Sequence, residues 1–360
     1  MKPDFDLAVV GAGPAGAAAA LAAARRGLSV ALFEPRTDDD KPCGEGIMPS
    51  GVRALAELGL EALVPAGQPL ERVGYVLASG RELEIELPEP GLAIERPLLA
   101  RALSAALARE PLVARFDQRV ATAAHADGFH LRGGGCAWSA ATLIAADGIQ
   151  GEAAGWLRRP RGGRARFGLR ARAEARGELG RVEVHLGRAS EVYLTPLPER
   201  RVNVAVLLDG PPRARASGSS WLEAALEEHP LARRALGAWT TVPEARALHR
   251  ARPLRVAERS AFLAGDAAGG VDPVLGCGVA IALATGIAAG AAAVRVLREG
   301  SGAPERDYAQ SVARETRLRR AVAHGLTFLG AHAGLQELAA RLFRAWPAGA
   351  RRLARSVAAA

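Results

Sequence analysis

The stretch "KPCGEGIMP" sets a thiol and a carboxylate, Cys43 and Glu45, between and beside Gly44 and Gly46. A cysteine so placed has four chemistries open to it: nucleophile, half of a disulfide, metal ligand, or a small soft side chain that lets a flat group lie against the backbone. Glu45 is suited either to donate a proton or to cap the helix that follows it. Two other loops offer chemistry. Gly11, Gly13 and Gly16 form a turn fit for a phosphate, with Glu34 further on as an acceptor. Far downstream, Gly265 and Asp266 precede Pro273, Gly276, Cys277 and Gly278, and a long run of small residues follows.

The first of these loops needs a strand, a helix and a second strand around it, and the sequence supplies them. An apolar run at 7–10 enters the turn, an alanine-rich helix leaves it, and an apolar return ends at Glu34. This βαβ pattern assigns a role to each glycine. Gly11 permits the tight turn, Gly13 lets a pyrophosphate approach the main chain, and Gly16 lets the helix sit close to the strand. Pro14 suits the first turn of the helix, whose free N–H groups then face the anion. Glu34 is spaced to accept the hydroxyls of an adenosine ribose. The second loop likewise lies between a strand at 261–264 and a long helix of small residues.

Composition narrows the field. The 360 residues suggest two domains, and an apolar share of 49% with 24% charged residues is that of a folded chain with a large core. The formal charge of +9 comes almost wholly from arginine, since Lys2 and Lys41 are the two lysines. That bias is compositional, and the basic stretch "RRPRGGRAR" lacks the interleaved aromatics of a single-strand binder, so no nucleic-acid partner is expected. Cys43, Cys136 and Cys277 are too few and too scattered for a disulfide framework or a zinc site. The seven histidines show no metal or triad spacing, and His185 reads as structural, so no metal is expected. No secretory signal precedes the first strand, which points to the cytoplasm. The uncharged stretch from Pro273 to Val294 is long enough to span a membrane, but its glycines, its alanines and the tight loop before it favour a buried helix.

With both glycine loops in view, the chain resembles the FAD-dependent oxidoreductases of the p-hydroxybenzoate-hydroxylase type. The Cys-Gly-Glu-Gly loop and the proline and helix after it are most similar to the geranylgeranyl-reductase-like branch. The resemblance covers nearly the whole chain. It implies that FAD is held by Gly11, Gly13, Pro14, Ala15, Gly16, Glu34, Pro35 and Arg36, and that Cys43, Gly44, Glu45 and Gly46 line one face of the flavin. It also implies that Arg96, which opens the helix in "IERPLLARAL", reaches the cofactor, and that Asp147 and Gly148 lie near the pyrophosphate. Asp266, after Gly265, would meet a hydroxyl of the ribityl chain. The loop of Pro273, Gly276, Cys277 and Gly278 would then aim a helix N-terminus at the pyrimidine edge of the ring. Two-electron reduction leaves negative charge there, which about half a positive charge stabilises. After Asp147-Gly148 the family often carries serine and arginine, where this chain has Gly151 and Ala154. Cys43 and Cys277 flank the same ring by this resemblance, so a transient dithiol pair is conceivable if their geometry permits.

The remaining sequence reads as a substrate half. Residues 71–90 alternate around a Ser-Gly turn as a hairpin, and "RFGLRARAEA", "RVEVHLG", "EVYLTPLP" and "RVNVAVLL" read as further strands. Tyr193 and Pro196 match a segment that faces substrate in the reductase branch, but Leu194 and Thr195 supply no tryptophan. After residue 303 the chain is helical and amphipathic, either a lid on the substrate domain, the favoured reading, or a peripheral membrane contact. The expected fold is therefore α/β: a Rossmann-like FAD-binding domain of glutathione-reductase type, an interleaved antiparallel-sheet substrate domain and a helical C-terminus. Residues 1–70, 91–160 and 255–300 would form the first, 71–90 and 161–254 the second, and 301–360 the third. The expected function is NAD(P)H-fuelled hydroxylation of a hydrophobic aromatic, polyketide-like or prenylated small molecule in a dry pocket. The alternatives are reduction of carbon–carbon double bonds and, more remotely, a non-enzymatic flavin-binding redox sensor. Cys43, Glu45 and Tyr193 are the candidate catalytic residues. The sequence leaves the oligomeric state open.

Overall fold

The computed structural model describes residues 2–35, 43–149, 151–157, 166–208, 218–241, 244–248, 253–330, 332–346, 348–349, 351–352 and 355–356. Arg36 lies outside the described residues.

The chain opens with β1 (Phe5–Val10), α1 (Pro14–Ala24) and β2 (Val30–Phe33). It then leaves through β3 (Gly46–Ile47), α2 (Pro49–Glu57) and a hairpin of β4 (Gln68–Val76) and β5 (Glu82–Ala93). Helix α3 (Arg96–Ala108) leads back to β6 (Val113–Phe116) and a meander of β7 (Ala121–His125), β8 (Gly128–Gly133) and β9 (Cys136–Ala145). A second excursion contains β10 (Arg166–Ala175), β11 (Val182–Leu186), β12 (Ser190–Leu197), β13 (Arg201–Leu208), α4 (Gly218–Glu228), α5 (Pro230–Ala235), β14 (Leu236–Trp239) and β15 (Glu244–Leu248). The chain returns as β16 (Ala257–Glu258) and β17 (Ala261–Leu263), then ends in α6 (Gly278–Glu299), α7 (Ala303–Gly330) and α8 (Ala333–Ala345).

Two sheets result. In the first, β17, β9, β1, β2 and β6 lie side by side and parallel, with β16 and the meander at the edge of β17 and β9. Strands β1 and β2 are apolar over their last four residues and buried there, as strands covered on both faces must be. The second sheet runs β14, β10, β13, β12, β11, β4, β5, β3, with β15 on the edge of β10. The expected antiparallel order holds in every pair except β4 with β11, which is parallel. Those two strands come from separate excursions, so no hairpin dictates their direction.

Helix α1 has no polar face, and all its residues from Ala15 to Ala24 are buried. A helix that is apolar all round must be covered all round, and α6 supplies the outer cover. The two approach through small residues: a Cβ added at Gly286 would lie 2.2 Å from the Ala15 carbonyl oxygen, and one at Gly290 2.5 Å from that of Ala19. Among the described residues α6 is the one helix long and apolar enough to cross a membrane, and here it packs against α1, α2 and α7.

Candidate functional site

Three loops meet where β1, β9 and β17 end. Gly11 has φ +99°, and a Cβ there would lie 2.5 Å from the Ala146 carbonyl oxygen. Gly16 folds back so tightly that a Cβ would sit 1.7 Å from the Gly11 oxygen. Gly265, at φ +62°, presses on Ala15, whose methyl would be 2.8 Å from an added Cβ. These glycines are required by close backbone approach. Gly13, Gly44 and Gly278 differ, because a Cβ on any of them would meet nothing within 4 Å. They border open space, which is where a ligand can approach a main chain.

Glu34 returns to the same turn, its Oε2 accepting the Ala12 N–H at 3.0 Å, while Pro35 is exposed. Asp147 precedes Gly148, which has φ +79°, and its carboxylate folds back to accept the Ala153 N–H at 2.7 Å. A Cβ at Gly151 would fall 1.9 Å from that carboxyl carbon. The departure of this segment from the family pattern thus has a local cause. Asp266 keeps an exposed carboxylate and caps neither its own short 3-10 turn nor α6, whose N-cap is Cys277.

The 43–48 loop is held against the second sheet. Glu45, fully buried and at φ +57°, pairs with Arg172 of β10, whose Nε donates to Oε2 at 3.1 Å. Its Oε1 accepts the N–H of Arg96 at 2.9 Å. The capping role expected of Glu45 is therefore corrected: it serves the first turn of α3, not α2, because the left-handed backbone turns the side chain away from its own helix. The Asn203 amide donates to the Cys43 carbonyl at 3.1 Å. Beyond the loop, a Cβ at Gly51 would lie 3.0 Å from Ala280, and one at Gly276 3.7 Å from Met48. Met48 at the end of the 43–48 loop thus adjoins the turn before α6, and α2 packs on the first turn of α6. Cys43 and Cys277 are both free thiols.

A second buried cluster ties the sheet to the other loop. Tyr193 donates to Glu191 at 2.5 Å, Arg166 lies 3.2 Å from Glu191 and 2.9 Å from Asp272, and Asp272 accepts the Val274 N–H at 3.2 Å. Burial pushes the Glu191 carboxyl above the usual carboxylate range although Arg166 opposes it, and burial with Glu191 beside it raises the Tyr193 phenol well above its ordinary value. Tyr193 is thereby engaged in holding the 272–275 turn. Arg166, Arg172, Glu191, Asp272 and Asn203 were not singled out from sequence. The available signal was "RFGLRARAEA", where arginines at 166, 170 and 172 share one face of a strand whose other face is apolar.

Between the second sheet and the C-terminal helices lies a cavity of about 250 Å³. Its walls include Val73, Leu83, Leu87, Leu186, Leu326 and Phe343, and Leu275 and Cys277 of the 265–278 loop close one side. Among its polar lining residues, Gln336 is spent on the chain itself, accepting from Ala78 N–H and donating to the Gly330 carbonyl, each at 3.0 Å. Tyr75 and Cys277 remain. Burial pushes the Tyr75 phenol up to about 12 and the Cys277 thiol up to about 11. Helices α7 and α8 form one side of this cavity.

These features fit a dinucleotide with a flat head group. The N-caps of α1 and α6 are Gly13, which has no side chain, and Cys277, whose side chain does not bond to its helix, so the first-turn N–H groups stay available to anionic atoms. Arg96 Nη1 and Asn203 Oδ1 are buried with no hydrogen-bond partner, one a donor and one an acceptor. Buried polar atoms are left without partners at a cost, which a bound polar ring edge would relieve.

Residues 6–38 match the family model described as FAD dependent oxidoreductase. Over 97 residues the chain is 40% identical to a menaquinone reductase of Mycobacterium tuberculosis, a match covering 27% of this chain and 24% of that protein. It thus spans about a quarter of that relative's length. With a digeranylgeranylglycerophospholipid reductase of Methanopyrus kandleri the match is 29% identical over 82% of this chain and 78% of the other. Among solved structures, p-nitrophenol 4-monooxygenase from Pseudomonas putida superposes with a TM-score of 0.83 over 99% of this chain and 97% of its own, at 15% identity. The resemblance implied by the motifs is borne out: the chain has the fold of the FAD-dependent oxidoreductases, and FAD is the nucleotide that the matched segment supports.

Proposed function

We propose that this protein reduces carbon–carbon double bonds in a prenyl-type apolar substrate, with FAD held between the 11–16, 43–48 and 265–278 loops. One observation carries the reading: the apolar cavity is closed by Leu275 and Cys277, which belong to the loop assigned to the flavin. A chain of methyl-branched alkene needs a dry aliphatic wall and no hydrogen bonds, and that is the cavity's chemistry. The similarity to two reductases, of menaquinone and of digeranylgeranylglycerophospholipid, supports the same reading.

When bound, FAD supplies the hydride, with NAD(P)H as its transient source. Saturating one double bond takes that hydride on one carbon and a proton on the other. The chain's part is to exclude water and to hold the proton. Tyr75 Oη and Cys277 Sγ are the two groups in the cavity that can do so, and their raised pKa values keep both protonated across the neutral range. Turnover is accordingly expected to be flat from about pH 6 to about pH 9. A pH–rate profile under saturating reductant checks this, and a bell centred near neutrality would exclude both donors.

Hydroxylation is the second reading, favoured by the fit to a monooxygenase fold over nearly the whole chain. The two separate in one experiment. Holoprotein is incubated with menaquinone or digeranylgeranylglycerophospholipid under anaerobic dithionite, and in parallel with NAD(P)H in air. Products heavier by two hydrogens per bond without oxygen are expected; oxygen incorporation in air with no anaerobic product would overturn the proposal.

A further inference from the structure

Helix α8 presents two apolar sectors. One includes Ala339 and Phe343 and lines the cavity. The other holds Leu338 and Leu342, exposed by 53% and 62%, and Trp346 follows as the C-cap, exposed by 72%. At ~100° per residue Leu338 and Leu342 lie ~40° apart, directly beside the cavity-lining sector. Phe328, near the end of α7, is also 58% exposed. The segment that carries this surface is basic: Arg341, one position before Leu342, is exposed, as are Arg344, Arg351, Arg352 and Arg355. The single acid after Gly330 is Glu337, and it is already engaged by Arg81 at 2.9 Å and the Ser79 hydroxyl at 2.5 Å.

We infer that this face of α8 docks on the surface of an anionic lipid bilayer. An exposed apolar stripe followed by a tryptophan, on a segment whose free charges are all arginine, is suited to the boundary between headgroups and acyl chains, where the indole sits at the polar edge and long guanidinium side chains reach lipid phosphates. Charge decides the occupant. A second copy of this chain meeting the patch about a two-fold axis would set the same arginines against each other, whereas an anionic surface attracts every one of them. The docked orientation places the cavity wall next to the lipid phase. The inference does not depend on which reaction the flavin performs.

The test uses full-length holoprotein and vesicles of phosphatidylcholine, alone or with about one third phosphatidylglycerol. Sedimentation with the anionic vesicles is expected to exceed that with the neutral ones by about tenfold, and to fall as ionic strength rises from ~0.1 M to ~1 M. The double variant Leu342→Glu, Trp346→Glu is expected to lose that binding while keeping its bound FAD and its far-ultraviolet spectrum. The double variant Arg341→Gln, Arg344→Gln is expected to lose mainly the preference for anionic vesicles. Equal sedimentation of the parent and the Leu342→Glu, Trp346→Glu variant would overturn the inference. So would a parent dimer in sedimentation equilibrium that this variant dissolves.

Discussion

Replacing Glu45 by alanine is expected to destabilise the protein by about 3–5 kcal/mol and to release FAD. The Glu45 side chain is 0% exposed and its partner Arg172 8%, so truncation leaves a guanidinium in the interior facing an empty space. The first turn of α3 loses its acceptor as well, since the Arg96 N–H points at Glu45 Oε1, a loss of about 0.5–2 kcal/mol on its own. Glu95, 3.5 Å from Arg172, tempers the first effect, but it is already shared with Arg201 at 2.5 Å. The lower end of the range is therefore expected. Urea unfolding of the FAD-loaded and stripped proteins measures it. Adding Arg172→Met to Glu45→Ala should recover part of the loss, because it removes a buried guanidinium that has lost its nearest carboxylate. A Glu45→Ala protein as stable as the parent, but slowed in every turnover assay, would make Glu45 a proton donor and not a clamp.

The features legible in the sequence were those whose cause is local. Gly11 and Gly16 announce themselves because the turn between β1 and α1 leaves no room for a Cβ, and that need is written within one βαβ unit. The wholly apolar, alanine-rich composition of α1 likewise foretells a helix covered on all sides. The clamps were not legible, because their halves are far apart in the chain: Arg172 and Glu45 are separated by 127 positions, Arg166 and Asp272 by 106. Alternating arginines in β10 look like the solvent face of a strand, and only the two loops folded over that face turn them into buried partners. Arginine at those positions is chosen by acids on other elements, Glu45, Glu191 and Asp272. The cavity was hidden for the same reason, its walls coming from β4, β5, β11, α7 and α8 and the 265–278 loop, none of which reads as a pocket alone. Asp147 and Gly151 show the intermediate case. The sequence displays the departure from the family pattern, and the structure supplies its reason in a carboxylate folded back on its own loop.

Substituting leucine at Gly286 is expected to leave no soluble FAD-bound protein, although glycine is the weakest ordinary residue in a helix. The two tendencies oppose each other. Gly to alanine inside a helix gains about 1 kcal/mol in propensity, and at Gly325 in α7, where an added Cβ meets nothing within 4 Å, that gain should appear in full. At Gly286 the same methyl lands 2.2 Å from the Ala15 oxygen and 3.0 Å from the Ala18 Cβ. The nearest obstacle is backbone and cannot rotate away, so α1 and α6 must separate. Overpacking of this kind costs about 1–3 kcal/mol for small additions and more for larger ones, which makes Gly286→Ala net destabilising and Gly286→Leu prohibitive. The displaced atom belongs to the first turn of α1, next to Gly13 and Pro14, so cofactor retention should fail before the secondary structure does. Measuring bound flavin and thermal midpoint for Gly286→Ala and Gly325→Ala together isolates the effect. Opposite signs are expected from one chemical change, and a Gly286→Ala protein that keeps its flavin and gains stability would mean that the close contact of α1 with α6 does not hold the nucleotide loop in place.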